Sequence, residues 1–315
     1  MAEAITEKTQ NGNLIPSDCK TPKKSVTPLK VILFVILVLF VISLLLPLLW
    51  GVSTSLKGYY DYRANKLGLP KGAPWEWKWS NFAYVITHYS APAVTGSGVA
   101  INVSMGKQVV NTLLFAGVGG LVATFTPFLV AYLTARYDYV FSKIIYAVVL
   151  ITMILPIVGS FPSELALLRA LGMYDQIWGS WIQKMSFLGV YYLLFYAAFK
   201  GINKEFWEAA YIDGASEFTV MARIIMPLAR NVFFTVFLIK FIEFWNDYQT
   251  VLLYLPGHPM LAYGVYKFGN SNDPNLNTVP MRMAGCMVLV LPMIAIFLIF
   301  KDKLIENISV GGVKG

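Results

Sequence analysis

Three ionisable side chains interrupt an apolar stretch between residues 232 and 255. Lys240, Glu243 and Asp247 fall at positions i, i+3 and i+7, which places them on one face if the stretch is a single helix. Ionisable groups inside a bilayer are costly unless they are paired or wet, so they normally face a bundle interior or a water-filled path. We therefore expect this face to be turned away from lipid.

Groups able to bind a hydroxyl-rich solute accompany this face. The Asn246 amide can bond a hydroxyl, and the ring of Trp245 or Tyr248 can pack on a solute. One interpretation is a translocation path lined by Lys240, Glu243, Trp245, Asn246, Asp247 and Tyr248. The alternative is that Lys240 and Glu243 pair with each other, or with a partner subunit, and serve packing alone.

A second candidate is an acidic, helix-favouring segment in a polar loop. Glu208, Ala209 and Ala210 favour a helix. Gly214 can close its end in the left-handed conformation, and a second short helix can follow directly. Proline fits the first turn of a helix but not its interior, so Pro227 marks where the next apolar run begins. The pattern predicts a protruding knob of two short helices that exposes Glu208.

Composition places most of the chain in a membrane. Of its 315 residues, 57% are hydrophobic and only 13% are charged, with a mean hydropathy of +0.60, unlike an ordinary soluble domain. Crossing a bilayer core of roughly 30 Å takes about 20 apolar residues in a helix. The predicted spans, of which the fourth is short, are residues 31–56, 108–135, 144–163, 185–199, 232–255 and 283–300.

The predicted architecture is an all-α membrane protein with six transmembrane helices. Residues 1–29, rich in Lys, Thr, Ser and Pro, are expected to form a disordered tail. The transmembrane domain is expected over residues 30–306, with the polar loop at 200–230 and a terminal tail at 307–315. Six spans put both termini on one side, and the Lys and Arg residues there favour the cytoplasm.

No motif for enzyme chemistry accompanies these features. The sequence has no glycine loop for phosphate, and its two histidines, His88 and His258, are isolated. The net charge of +8 is spread over tails and loops without a basic helix, so we attribute it to membrane topology rather than nucleic-acid binding. We predict no catalytic residue, no metal site and no cofactor bound by this chain.

The spacing in the polar loop resembles a known family. Glu208-Ala209-Ala210, followed by three intervening residues and Gly214, and then by Ile224 and Pro227, is similar to the cytoplasmic coupling loop of permease subunits of ATP-binding-cassette importers. Trp245-Asn246-Asp247-Tyr248 and the terminal Gly311-Gly312-Val313-Lys314-Gly315 resemble the carbohydrate-importing branch, the group of the maltose importer's second permease subunit. A longer first external loop, around residues 91–106, departs from that pattern.

The resemblance implies a type I importer permease fold and a transport subunit that is not an enzyme. The implied partners are a second permease subunit in a heterodimer, two ATPase subunits that use ATP and Mg, and an extracytoplasmic solute-binding protein. The implied substrate is a carbohydrate, in particular an oligosaccharide. The implied location is a bacterial cytoplasmic membrane.

The same resemblance gives roles to particular residues. The residues expected to couple to the ATPase are Glu208, Ala209, Ala210, Asp213 and Gly214. Candidates for contact with the binding protein are Gly257, Tyr263, Asn270 and Asp273. Lys314 would contact the ATPase subunits.

Two alternatives remain open. One is an importer of the same superfamily whose solute is not a carbohydrate. The other is an ATP-independent carrier or a membrane enzyme that uses the face of Lys240, Glu243 and Asp247.

Overall fold

The computed structural model describes residues 28–155, 159–268 and 274–310. The chain divides into two compact units, Met1–Leu49 and Trp50–Gly315. The described part of the first unit is the beginning of helix α1, Pro28–Ser55. Most of the tail predicted at residues 1–29 lies outside the described residues, and its last two residues belong to α1.

The second unit contains the end of α1 and the remaining elements. It includes a 3-10 turn at Pro74–Glu76 and a π-helical turn at Met221–Ile225. The other elements, in chain order, are α2 Tyr59–Ala64, α3 Ser80–His88, β1 Ser90–Val94, β2 Ala100–Ser104, α4 Met105–Arg136, α5 Val140–Ile154, α6 Phe161–Ala170, α7 Ile177–Gln183, α8 Val190–Lys200, α9 Glu205–Ile212, α10 Glu217–Val220, α11 Met226–Leu228, α12 Arg230–Trp245, α13 Gln249–Tyr254, α14 Leu261–Phe268 and α15 Val279–Val310.

The described helices confirm a mostly helical architecture with membrane-spanning segments. Among the described residues, three helices are long and apolar enough to cross a membrane: α1, α4 and the part of α15 over Val279–Ile299. A fourth arises if Glu217–Leu228 and Arg230–Trp245, bent by 70°, are one span. Helices α5 and α8 have 15 and 11 residues, or about 22 and 16 Å. A count of six therefore stays a prediction.

Two of the predicted spans are shorter as helices than expected. Helix α8 begins at Val190 rather than at residue 185, because Gly189 has a φ of +113°, which no helix residue adopts. Helix α5 ends at Ile154, and Leu155 is extended with a ψ of 119°, since a residue before proline disfavours the helical region. The proline itself, residue 156, lies outside the described residues.

The described residues also contain two strands, which the all-α prediction did not include. Strands β1 and β2 form an antiparallel hairpin, with Ser90 opposite Ser104 and Val94 opposite Ala100. This hairpin occupies the connection between α3 and α4, where the sequence is longer than the family pattern. The loop folds on itself because each strand pairs with its neighbour, which satisfies backbone groups locally.

Helix α4 is the centre of the second unit and packs against α7, α8, α12 and α14. One buried cluster includes Phe115 of α4 and Phe244 of α12, with ring centroids 5.4 Å apart. A second cluster, nearer the end of α4, includes Phe128 and its neighbour Phe195 of α8. Buried aromatic side chains therefore pack α8 and α12 against the central helix α4.

The backbones of α4 and α12 approach closely at Gly120. A Cβ atom at this position would lie 3.4 Å from the backbone nitrogen of Phe241. Small residues at helix crossings permit such close packing in membrane proteins. Polar side chains of α4 also fix the chain around α14: Asn111 Nδ2 donates to the Pro259 carbonyl at 2.9 Å, and Thr112 Oγ1 accepts from the Leu261 amide at 2.9 Å.

Candidate functional site

The polar loop folds as the predicted knob, beginning with helix α9. Trp207 and Ala210 face inward and are buried. Glu208 and Ala209 lie on the outer side and are exposed, as is Ile212, at 86%. The helix is thus anchored by one side and presents an acidic and apolar surface on the other.

The turn after α9 is a Schellman motif centred on Gly214, whose φ is +76°. The Gly214 amide donates to the Tyr211 carbonyl at 3.0 Å, and the Ala215 amide donates to the Ala210 carbonyl at 3.0 Å. These two bonds satisfy carbonyls that the end of a helix leaves free. Only glycine adopts this backbone conformation without cost, which confirms the prediction that Gly214 ends the helix.

A second short helix, α10, follows at once. Ser216 caps it, because the Ser216 hydroxyl accepts from the Thr219 amide at 3.3 Å. Phe218 on α10 is 71% exposed and adds a second apolar side chain to that of Ile212. Pro227 lies in the first turn of α11, and α12 begins three residues later. The end of the loop is therefore where the sequence predicted it.

Two contacts fasten the knob to the end of α4. Arg136 Nη2 donates to the Tyr211 hydroxyl at 3.3 Å, and the Tyr137 hydroxyl donates to Glu217 Oε2 at 2.7 Å. The second bond raises the pKa of Tyr137 to about 12 and lowers the pKa of the Glu217 carboxyl. These two hydrogen bonds join the knob to the end of the central helix.

A polar cleft of about 350 Å³ lies where α12 ends, among α6, α7 and α13. Four residues predicted for a translocation path line it: Glu243, Asn246, Asp247 and Tyr248. Further polar side chains that the sequence did not single out complete the lining: Glu164, Gln183, Lys184, Gln249, Thr250 and Tyr254. The cleft therefore gathers hydrogen-bonding groups from four separate segments.

The prediction that Lys240, Glu243 and Asp247 share one helical face is wrong for Asp247. Helix α12 stops at Trp245, with Asn246 as its C-cap, so Asp247 lies beyond the helix. Asp247 instead caps the next turn, because its carboxylate accepts from the Thr250 amide at 2.9 Å and the Thr250 hydroxyl at 2.5 Å. Trp245 is buried in the first cluster and donates to the Leu289 carbonyl at 3.2 Å. Its ring therefore belongs to the core of this unit.

Two ion pairs lie at the cleft. Lys240 Nζ lies 2.9 Å from Glu243 Oε2, which is the pairing that the packing alternative anticipated. Lys184 Nζ lies 3.6 Å from Asp247 Oδ2, with both side chains mostly buried. Lys184 also sits 5.2 Å from the centroid of the Phe244 ring. Asp247 thus receives its cation from the segment after α7, which is remote in sequence.

Of the residues predicted to contact a binding protein, the structure describes Gly257 and Tyr263. The Gly257 amide donates to Asp175 Oδ1 at 2.7 Å, while Tyr263 is buried in the core. Asn270, Asp273 and the tail residue Lys314 lie outside the described residues. Tyr263 therefore packs within the subunit in this structure.

Asp175 joins two separate loops, a role that the sequence did not predict. Its carboxylate accepts from the amides of Gly96 at 2.5 Å and Gly257 at 2.7 Å, and it lies 3.3 Å from His258 Nδ1. Asp175 also has a positive φ of 59°, which aspartate tolerates better than most residues. One buried carboxylate thus ties the β-hairpin loop to the loop before α14.

The described residues combine helices that are long and apolar enough to cross a membrane with a protruding two-helix knob. Residues 25–304 match the family described as binding-protein-dependent transport system inner membrane component, and the chain belongs to this family. Its members are transport components rather than enzymes. Within the described residues, no group of three or more His, Cys, Asp or Glu side chains is arranged to hold a metal ion.

Similar curated proteins include two from Bacillus subtilis (strain 168). The melibiose/raffinose/stachyose import permease protein MelC is 27% identical over 214 residues, covering 67% of this chain and 77% of its own length. The arabinooligosaccharides transport system permease protein AraQ is 27% identical over 210 residues, covering 66% and 74%. A third is the probable starch degradation products transport system permease protein AmyC of Thermoanaerobacterium thermosulfurigenes, 28% identical over 223 residues, covering 68% and 78%.

Two solved structures share the fold. A chain of a bacterial ABC transporter for import of the acidic polysaccharide alginate has a TM-score of 0.68 and 20% identity, covering 89% of this chain and 97% of that one. A chain of the alginate transporter in complex with its alginate pentasaccharide-bound periplasmic protein has a TM-score of 0.54 and 16% identity, covering 86% and 91%.

Proposed function

We propose that this chain is a permease subunit of an ATP-driven importer of carbohydrates, in particular oligosaccharides. It would form the translocation path with a second permease subunit and work with two ATPase subunits and an extracytoplasmic binding protein. The relatives above are named for uptake of melibiose, raffinose and stachyose, of arabinooligosaccharides and of starch products. This shared substrate class supports a carbohydrate over another solute.

The observation that carries the proposal is the knob. Glu208, Ala209, Asp213 and Gly214 are exposed, with Ile212 beside them, while Ala210 packs inward. An exposed isoleucine and phenylalanine beside an acid suit a groove with an apolar floor and a basic rim, because apolar burial gives affinity and charge gives orientation. We assign this surface to the ATPase subunit, with Glu208 paired to a basic residue there.

Import would follow from movement of the knob with the ATPases. On ATP binding the ATPases close, the knob moves with them, and Arg136 and Tyr137 transmit the displacement to α4. ATP and Mg act in the partner subunits, and this chain binds no cofactor. Because α8 and α12 pack on α4, their movement would open the path to the outside.

The topology we propose has six spans with both termini in the cytoplasm of a bacterial cell. In this arrangement α5, α8 and α12 supply spans that α1, α4 and α15 do not. The knob then lies on the cytoplasmic side, where an ATPase must be. The terminal tail with Lys314 would lie on the same side and contact the ATPase subunits.

We place the solute route at the polar cleft. Glu243, Asn246, Asp247 and Tyr248 line it, and Lys240 lies next to it through its pair with Glu243. Trp245 would act indirectly, by holding the end of α12 in the core. The loops around Gly257, Asn270 and Asp273 would contact the binding protein, with Tyr263 supporting them from the core.

The experiment is copurification of the chain with candidate permease and ATPase subunits, followed by ATP hydrolysis with and without binding protein and sugar. Glu208→Ala and Gly214→Pro are expected to lose ATPase association or sugar-stimulated hydrolysis. Glu205→Ala is the matched control, because it removes another exposed acid from the first turn of α9. Unchanged association and hydrolysis in both knob variants would overturn the coupling role and favour an ATP-independent carrier or enzyme. Binding-protein ligand screening separates a carbohydrate from another solute.

A further inference from the structure

A compact turn at residues 65–69, between α2 and α3, exposes two leucines. Asn65 Oδ1 accepts from the Gly68 amide at 2.8 Å, and Asn65 Nδ2 donates to the Leu69 carbonyl at 3.2 Å. These two bonds fix the backbone of the turn. Leu67 is nevertheless 84% exposed and Leu69 is 69% exposed. A well-bonded turn thus presents apolar side chains to its surroundings.

This turn is bonded to the end of α1. Trp50 Nε1 donates to the Lys66 carbonyl at 2.9 Å, and Ser53 Oγ donates to the Gly68 carbonyl at 3.1 Å. Trp50 and Ser53 are three positions apart and share one face of the helix. The turn therefore lies beside the last two turns of α1, at the level of these two side chains.

The position of Trp50 in α1 relates this turn to the depth of a membrane. No charged residue occurs between Lys30 and Lys57, so this run is the part of the chain that can lie in hydrocarbon. Trp50 follows Lys30 by 20 positions, or about 30 Å along a helix, which is the thickness of a bilayer core. Tryptophan is enriched where that core meets the head groups. The turn beside Trp50 therefore falls at the depth where hydrocarbon gives way to head groups.

The charges near the turn suit a lipid surface as well. Residues 57–78 contain five basic and two acidic side chains, hence a formal net charge of +3, and anionic lipids attract basic segments beside a membrane span. Lys66, next to Leu67, is exposed. A lysine in such a place lays its apolar stem along the hydrocarbon and keeps its ammonium among the head groups. Apolar tips with a basic neighbour match the edge of a bilayer.

We propose that residues 65–69 form a membrane-surface anchor, in which Leu67 and Leu69 enter the edge of the hydrocarbon and Lys66 lies among the head groups. The partner of this surface is bilayer lipid rather than another protein. Through its two hydrogen bonds to α1, the anchor fixes the end of that helix at a defined depth. This contact does not depend on which solute the subunit carries.

The test places a nitroxide spin label at Leu67→Cys or Leu69→Cys in the full-length chain, after Cys19→Ala and Cys286→Ala remove the native thiols. The chain is reconstituted in nanodiscs of phosphatidylcholine and phosphatidylglycerol, first alone and then with the subunits that copurify with it. Power-saturation electron paramagnetic resonance compares the label's contact with oxygen, which concentrates in hydrocarbon, and with a water-soluble nickel chelate. Ser97→Cys, at an exposed position in the turn of the β-hairpin, is the control.

We expect the ratio of oxygen contact to nickel contact to be severalfold higher at positions 67 and 69 than at position 97, in the chain alone and in the complex. A ratio as low as that at position 97 would mean that the turn faces water. Loss of contact with both reagents would mean that protein covers the turn. Either result overturns the proposal.

Variants of the hydrogen bonds test the role of α1. The double variant Trp50→Phe and Ser53→Ala removes both donors to the turn, so it should lower the ratio at position 67. Trp79→Phe is the matched control, because Trp79 Nε1 donates, also at 2.9 Å, to the Pro74 carbonyl within the same loop, and it should leave the ratio unchanged. Equal ratios in the double variant and in the chain without it would show that α1 does not set the depth of the turn, and would also overturn the proposal.

Discussion

Replacing Gly214 with alanine perturbs the knob at a single backbone position. Gly214 has a φ of +76°, and a Cβ atom there would meet no other atom within 4 Å. The substitution therefore adds no clash, and its effect comes only from the backbone conformation. Two amides report on it directly, since those of Gly214 and Ala215 donate the bonds of the Schellman motif.

The magnitude follows from the cost of the left-handed conformation for an L-residue, about 1–2 kcal/mol. If the knob opens locally, the population of open turns should rise by about 5- to 30-fold. Gly214→Asn should have a smaller effect, because asparagine visits the left-handed region more readily than alanine. The expected order of turn stability is glycine, then asparagine, then alanine.

The assay is amide hydrogen exchange of the reconstituted chain, followed in peptides that cover residues 205–216. Gly98→Ala is the matched control, because Gly98 has a φ of +86° and equally free space but lies in the β-hairpin. We expect faster exchange at the knob in Gly214→Ala and unchanged exchange there in Gly98→Ala. Equal exchange rates for wild type and Gly214→Ala, or faster exchange in Gly214→Asn than in Gly214→Ala, would refute this account of the turn.

Three further predictions concern the contacts that hold the subunit together. Gly120→Leu should destabilise the packing of α4 on α12 by about 1–3 kcal/mol, which would be seen as a lower Tm. Gly117→Leu should be tolerated, because a Cβ at that site meets nothing within 4 Å. Equal Tm values for the two variants would contradict the close approach of α4 and α12 at Gly120. Asp175→Ala should lower the free energy of unfolding by about 3 kcal/mol and speed amide exchange in the loops that contain Gly96 and Gly257. Unchanged exchange in these loops would contradict the role of Asp175 in joining them. The lowered pKa of Glu217, caused first by its bond to Tyr137 and next by Tyr211, means that these contacts contribute stability above the unfolded carboxyl value near 4.5, which is lost as the pH falls further. Protection of the α10 amides, taken as exchange relative to the intrinsic rate at each pH, should therefore fall below that pH in wild type and show a smaller step in Tyr137→Phe; an equal step in both would contradict the role of Tyr137.

The knob was predictable because its signals are local. A glycine that needs a positive φ, a serine that caps the next helix and a proline in a first turn each act within a few residues of the chain. Gly214 and Pro227 occupy the expected places, and the second short helix that follows Gly214 is capped by Ser216. Such features depend little on the rest of the fold, so spacing alone locates them.

The polar cleft was only partly predictable because its residues meet through tertiary structure. The pattern of Lys240, Glu243 and Asp247 assumed one continuous helix, but α12 ends at Trp245. The cation of Asp247 comes from Lys184, 63 positions earlier in the sequence. No periodicity in either segment indicates that pairing.

Buried contacts between distant loops were not predictable for the same reason. Asp175 joins Gly96 to Gly257 across separate loops, and the sequence marks it only as one aspartate in a loop. The β-hairpin between α3 and α4 was likewise missed by a prediction based on membrane spans.

The central claim is that this chain passes a carbohydrate only when ATPase subunits drive it. The most direct measurement is uptake of a labelled oligosaccharide into proteoliposomes that contain this chain, a second permease subunit and the ATPases, with binding protein outside. The account predicts uptake that requires both internal ATP and binding protein, and that Glu208→Ala abolishes while Glu205→Ala preserves. Uptake that proceeds without ATP, or with this chain alone, would contradict it.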